Sequence, residues 1–309
     1  MRASSDSTEH GTREPDDGLR SACSAGEAVR WAVPQLREVT PSPRLEAELL
    51  LVQLLDRSRV YLLAHPEITL TTTQVETYTA LVRRRASGEP LPYLTGRAEF
   101  FGLEFTLTPD VLIPRPETEV LVEEALAWLR ANRAETVADV GTGSGCIVVA
   151  LAVHAPTLRC YATDTSRAAL AVARANAERH AVAERVTFLE GDLLAPLPEA
   201  VDLIVSNPPY VGEDEWEALP PSVRREPRSA LLSGSDGLDA LRRLLQQAPA
   251  HLRPGGRMLV EIGERHGKAA QALARAAFPD ADVRILPDLA GKDRALSVIG
   301  ARSQSVASL

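Results

Sequence analysis

The sequence predicts an α/β protein: a doubly wound, seven-stranded and mostly parallel sheet, preceded by a small N-terminal helical domain and a β-hairpin linker. Three observations carry that expectation. Upstream of Gly88 the apolar residues recur at three- and four-residue steps, the period of helices. From Val137 onward short apolar runs alternate with helical stretches, the pattern of strand–helix–strand units. The first of those runs leads into Gly141-Thr-Gly-Ser-Gly145, a turn whose glycines let the backbone bend sharply and approach a ligand.

The 309 residues are 45% hydrophobic and 25% charged, the composition of a soluble globular protein with one large domain or two ordinary ones. No apolar run approaches the roughly 20 residues of a membrane span, and the N-terminus has no apolar stretch of the secretory kind. The three cysteines, Cys23, Cys146 and Cys160, form no CxxC pair and read as free thiols of a cytoplasmic chain. A net charge of −8 argues against broad electrostatic binding to nucleic acid, although a local basic patch stays open.

Along the chain, residues 1–22 and 301–309 carry few apolar side chains and are expected to be disordered tails. A helical domain is expected over 23–95. In it Leu45, Leu49, Leu50, Val52, Leu54 and Leu55 define one helix between Pro43 and Pro66, and a further helix runs from Thr73 to Arg85. Arg83, Arg84 and Arg85 in its last turn suit the helix dipole and are expected at a solvated helix end, with an acidic partner as the alternative. Glu99 to Leu107 alternates with period two, giving a hairpin within a linker over 96–113. The turn Ile113-Pro-Arg-Pro-Glu117 then opens a helix to about Arg130, with apolar residues at 121, 122, 125, 126 and 129 on one face. The main domain is expected over 114–300, with strands at Val137–Val140, Arg159–Thr163, Val186–Glu190, Asp202–Ser206, Arg257–Ile262, Val283–Leu286 and Ala295–Ile299. Only Pro287–Arg294 separates the last two, too short for a parallel crossover, so they should pair antiparallel.

Two loops carry the chemistry. Nineteen residues after Gly145, Asp164 ends the second strand, where a carboxylate can accept from both hydroxyls of a ribose. Dinucleotide enzymes share this arrangement, but their third glycine falls where this chain has Cys146. Asp139 beside the turn is also a poor neighbour for a pyrophosphate and a good one for a cation such as the amino group of S-adenosylmethionine. A tight turn without a ligand is the plain alternative. The fourth strand ends in Asn207-Pro-Pro-Tyr210. Pro209 has no N–H, so the Pro208 carbonyl and the Asn207 side-chain oxygen can both accept from a planar –NH2 group, with Tyr210 as a flat surface for it. A proline-rich turn that only stops a strand is the alternative. If the strand order reverses between the first and fourth strands, the two loops adjoin.

Together with Pro92-Tyr-Leu-Thr-Gly96, Glu99-Phe-Phe-Gly102 and Ile113-Pro-Arg-Pro-Glu-Thr-Glu119, these motifs resemble the release-factor glutamine methyltransferases of the HemK or PrmC type, over about 41–300. The resemblance implies a Rossmann-like, S-adenosyl-L-methionine-dependent enzyme that methylates the side-chain nitrogen of the glutamine in the Gly-Gly-Gln loop of peptide chain release factors. It assigns Gly141, Gly143 and Gly145 to the methionine part of the cofactor, Asp164 to its ribose, and Asp192 and Leu193 to its adenine, and Asp139, Thr142 and Ser144 are expected among the cofactor-binding residues. Asn207 and Pro208 become the catalytic pair, and Asn207, Pro208, Pro209 and Tyr210 hold the substrate glutamine, with Asn207 also beside the cofactor. Phe100 is expected to line the substrate pocket, with burial in the hairpin the equal alternative. Arg115 and Glu261 read as structural, and His154, His180, His251 and His266 show no metal spacing. Three rival functions remain: an adenine-N6 methyltransferase on DNA or RNA, a glutamine methyltransferase acting on another protein such as a ribosomal protein, and an inactive binding module. No direct contact with nucleic acid or membrane is expected.

Overall fold

The computed structural model describes residue 19 and residues 22–302, so the tails expected at either end lie almost wholly outside the described residues. The chain divides into two compact units, Met1–Thr95 and Gly96–Leu309. The first is helical: α1 (Ala25–Leu36), α2 (Pro43–Leu55), α3 (Arg59–Ala64), α4 (Thr72–Ala86) and α5 (Leu91–Thr95) enclose a core that includes Leu36, Leu50, Leu51 and Tyr78. Local chemistry sets its helix starts, since Ser24 with Glu27 and Thr71 with Gln74 form reciprocal capping boxes on α1 and α4. One expectation fails here. Arg85 is not at a solvated helix end but buried, its guanidinium donating to Glu46 at 2.6 Å and to the Val39 carbonyl at 3.1 Å. A buried guanidinium needs a carboxylate, and α2 supplies one.

The second unit begins with a hairpin of β1 (Arg97–Phe100) and β2 (Leu103–Thr106), closed by Phe101 and Gly102, both at positive φ as a two-residue hairpin turn requires. Asn176 fixes it to the sheet domain, accepting the Thr106 N–H at 2.8 Å and donating to the Thr106 carbonyl at 3.0 Å. Helix α6 (Glu119–Asn132) follows. The strands β3 (Thr136–Val140), β4 (Arg159–Asp164), β5 (Val186–Glu190), β6 (Val201–Ser206), β7 (Leu252–Glu261), β8 (Asp282–Pro287) and β9 (Asp293–Ile299) form one sheet in the order β5-β4-β3-β6-β7-β9-β8. All neighbours pair parallel except β9, which is antiparallel to both β7 and β8.

Helices α7 (Cys146–His154), α8 (Arg167–Arg179), α9 (Asp239–His251) and α10 (Gly267–Ala277) complete the layers. One core contains Leu121, Val148, Leu151 and Leu203; the other contains Ile204, Leu244, Val260 and Ala270. The alternation of Leu203 and Ile204 between the two follows from the period of two along β6. Helix α7 is buried on nearly every side, which is why its sequence, Cys146-Ile-Val-Val-Ala-Leu-Ala152, is apolar throughout. No helix among the described residues is long and apolar enough to cross a membrane. The chain winds outward from β3 to β5 and then returns to β6, so the order reverses between β3 and β6 and a crevice opens at their carboxyl ends.

Candidate active site

A cavity of about 250 Å³ occupies that crevice. The glycine turn, Asp164, Asp192 and Leu193 line one part of it, and Asn207 and Pro209 another. Residues 110–112 and Pro114 supply one further wall, with Pro227, Ser229 and Ala230 near them.

In the turn, Gly141, Gly143 and Gly145 have φ of +69°, +54° and +79°, a region where side chains are strained. A Cβ on Gly141 would meet nothing within 4 Å, so the turn leaves open space there. Gly145 differs: its Cβ would lie 3.0 Å from that of Ala173, so this glycine lets α7 and α8 close together and does not line the cavity. Thr142 and Ser144 line it; the Thr142 hydroxyl donates to Asp139 Oδ2 at 2.7 Å, and the Ser144 carbonyl accepts from Asn176 at 2.9 Å. Asp139 lies beneath the turn, fully buried and outside the cavity lining. Its Oδ2 also accepts the Val148 N–H, whereas Oδ1 has no partner. Burial pushes this carboxyl up to about 7, and the nearby charge of Asp164 adds to the shift.

Asp164 accepts the Gly143 N–H at 3.0 Å with Oδ2 and the Ser166 N–H at 2.8 Å with Oδ1, which leaves lone pairs on both oxygens for a ligand. Asp192 pairs with Arg243 at 2.5 Å, and Leu193 sits beside it in the left-handed region at φ +51°.

The Asn207–Tyr210 loop is held by side chains. Asn207 Nδ2 donates to Thr118 Oγ1 at 3.1 Å, and the Thr118 hydroxyl donates to Glu261 Oε2 at 2.6 Å. The Tyr210 hydroxyl donates to Glu261 Oε1 at 3.2 Å. Burial raises the Glu261 carboxyl above the usual carboxylate range, and burial with the Glu261 charge raises the Tyr210 phenol. Pro208 is buried, and neither it nor Tyr210 lines the cavity, although both belong to the loop that does. Phe100 is a correction. It does not line the pocket but is 1% exposed and packs edge-on against Phe105 in the core, because it occupies the inward position of β1 beneath α6 and α7.

Several contributors had no assigned role in the sequence reading. Thr118 sits in the 3-10 turn that opens α6. Glu226 is buried, accepts the Ile113 N–H at 3.0 Å and pairs with Arg115 at 2.5 Å, tying the Ile-Pro-Arg-Pro turn to the segment that continues into Pro227. Arg243 and Cys146 also line the cavity.

The chain is similar to known proteins over most of its length. The PrmC N-terminal domain matches residues 27–96, and the methyltransferase small domain matches residues 117–219. The release factor glutamine methyltransferase of Moorella thermoacetica is 49% identical over 270 residues, covering 87% of this chain and 94% of that protein. Those of Bordetella pertussis and Cereibacter sphaeroides are 46% and 45% identical, covering 82% and 88% of this chain and 93% and 97% of theirs. Among solved structures, the hMettl16 catalytic domain in complex with MAT2A 3'UTR hairpin 6 aligns with a TM-score of 0.52 at 16% identity, covering 75% of this chain and 84% of that one, a likeness of fold. With relatives this similar over nearly their whole length, the chain belongs to the release factor glutamine methyltransferase family.

Proposed function

We propose that the protein transfers the methyl group of S-adenosyl-L-methionine to the side-chain amide nitrogen, N5, of the glutamine in the Gly-Gly-Gln motif of peptide chain release factors. The observation that carries this reading is the single cavity shared by the glycine turn, Asp164 and Asn207 at the reversal point of the sheet. The residues present suit a cationic nucleoside. Gly141 leaves open space, Asp164 keeps acceptor capacity for ribose hydroxyls, and Asp139 carries an orphaned oxygen beneath the turn that favours positive charge nearby. Leu193 offers adenine an apolar contact next to Asp192. When bound there, the cofactor supplies an electrophilic methyl group.

The chain's own task is to make a poor nucleophile adequate. A carboxamide nitrogen is weakly nucleophilic because its lone pair is delocalised into the carbonyl. Asn207 Oδ1 and the Pro208 carbonyl accept its two N–H groups, fix its direction and stabilise the positive charge that develops on it, more strongly in the transition state than in the ground state. Tyr210 serves by anchoring the loop to Glu261. Placement of the acceptor contributes much of the remaining rate. Release factors as substrates put the reaction in the cytoplasm, where the three free cysteines stay reduced.

Labelled methyl transfer tests the reading. Purified release factor should be methylated, and a release factor with alanine in place of the motif glutamine should not. Equal incorporation into that variant, or preferential transfer to DNA, RNA or ribosomal protein, would overturn it.

A further inference from the structure

We infer that Glu261 acts through Thr118 as a positioning residue that fixes which edge of the Asn207 amide meets the methyl acceptor. This rests on the reading of Asn207 as the partner of the acceptor nitrogen. Glu261 ends β7, is 1% exposed and stands next to β6, which delivers the Asn-Pro-Pro-Tyr loop. It clamps both ends of that loop, Tyr210 directly and Asn207 through Thr118.

The polarity of the chain follows from proton counting. A threonine hydroxyl has one proton to give. Both oxygens of Glu261 accept from hydroxyls, Oε1 from Tyr210 and Oε2 from Thr118 at 2.6 Å, so with the carboxylate ionised Thr118 gives its proton to Glu261 in a short charge-assisted bond. Toward Asn207 it can then act only as acceptor, so the edge of the amide at 3.1 Å must be its –NH2. The carbonyl edge, Oδ1, is thereby turned away from Thr118, on a side chain that lines the cavity. The two edges of an asparagine are nearly equal in shape, and packing alone discriminates between them poorly. Were the hydroxyl free to donate to Oδ1, the amide could present –NH2 to the substrate –NH2, donor against donor. The cost of burying a carboxylate here, offset in part by the nearby charge of Arg294, maintains the order of donors through two hydrogen bonds. Glutamine at 261 could face Thr118 with either oxygen or nitrogen and would not impose that order.

The experiment compares Thr118→Val, Thr118→Ser and Glu261→Gln with Asn207→Ala, using release factor as substrate and measuring kcat, KM, S-adenosylmethionine affinity and melting temperature. Thr118→Val keeps the shape and removes the relay; kcat should fall about 10- to 100-fold while cofactor affinity stays within about threefold. Thr118→Ser, which keeps the hydroxyl, should regain most of that loss. Glu261→Gln should lower kcat with KM little changed. A near-wild-type kcat in Thr118→Val or Glu261→Gln, with Asn207→Ala impaired, would overturn the inference and leave the Asn207 reading standing. Equal losses in the Val and Ser variants, tracking melting temperature, would reduce Thr118 to packing and also overturn it. A wild-type rate in Asn207→Ala would instead remove the reading on which it rests.

Discussion

The glycine turn and the Asn-Pro-Pro-Tyr loop face one cavity but are held in shape by different means. The turn takes its form mainly from main-chain dihedrals, with Gly141 and Gly143 at positive φ, and from ties that span 3 residues to Asp139, 21 to Asp164 and 32 to Asn176. The Asn-Pro-Pro-Tyr loop leaves its strand through two prolines and is fixed by side chains 89 and 51 residues away, themselves joined across 143 residues. One end of the site is therefore shaped by local backbone and the other by a long-range polar network. Damage to the first should appear in cofactor binding, and damage to the second in the chemical step.

Asn207→Ala is the strongest way to break that contrast. Its turnover should fall by about 10²- to 10³-fold, like the loss of an oriented partner to developing charge, with a far smaller change in cofactor affinity. Steady-state kinetics beside calorimetry checks it, and parallel losses in both would merge the two ends into one unit. Asp164→Ala probes the other side. Cofactor affinity should weaken by about 1.5–3 kcal/mol, the scale of hydrogen bonds to a charged group, while turnover at saturation changes less. Part of that loss will come through the turn, because Gly143 loses the acceptor of its N–H. Wild-type affinity by calorimetry would move the ribose contact elsewhere.

The smallest effect sharpens the electrostatics beneath the turn. The Asp139 carboxyl is held near 7, above its ordinary 3.8, so it is neutral below that range and charged above it. A cationic cofactor prefers the charged form, and affinity should rise between about pH 6 and pH 8 by no more than about tenfold. Stability has the opposite sign. With the folded value raised, the contribution is full below about pH 4 and is lost as pH rises through 7, so the ligand-free melting temperature should fall over that window. Asp139→Asn should flatten both dependences; an unchanged slope in either would assign it to another group.

What the sequence disclosed follows the same division. Strand–helix alternation and the antiparallel final pair are consequences of periodicity and a short connection, which are written locally, whereas the meeting of the two loops depends on a strand order that the sequence only allows. The fates of Arg85 and Phe100 are not written locally. A run of three arginines does not tell which one faces Glu46 on another helix, and two adjacent phenylalanines do not tell which points inward. Gly145 looks like its two neighbours in sequence, yet its reason for being glycine is Ala173 on α8. Glu226 stayed illegible, and Glu261 was legible only as structural without its partners, because a carboxylate is ordinarily a surface residue. Only their partners, Ile113 and Arg115 for one and Thr118 and Tyr210 for the other, make them interior.

Asn176 is wholly buried in α8 and bonds to both main-chain groups of Thr106 and to the carbonyl of Ser144. In folding terms that one amide couples the stability of the hairpin to that of the glycine turn. If the hairpin peels away, the buried Asn176 amide loses both of its Thr106 partners while still holding the Ser144 carbonyl, so opening the hairpin should weaken the support of the turn. A two-stranded ribbon would ordinarily be among the first parts of a protein to fray; here its persistence is tied to the order of a turn nearly 40 residues downstream of Thr106.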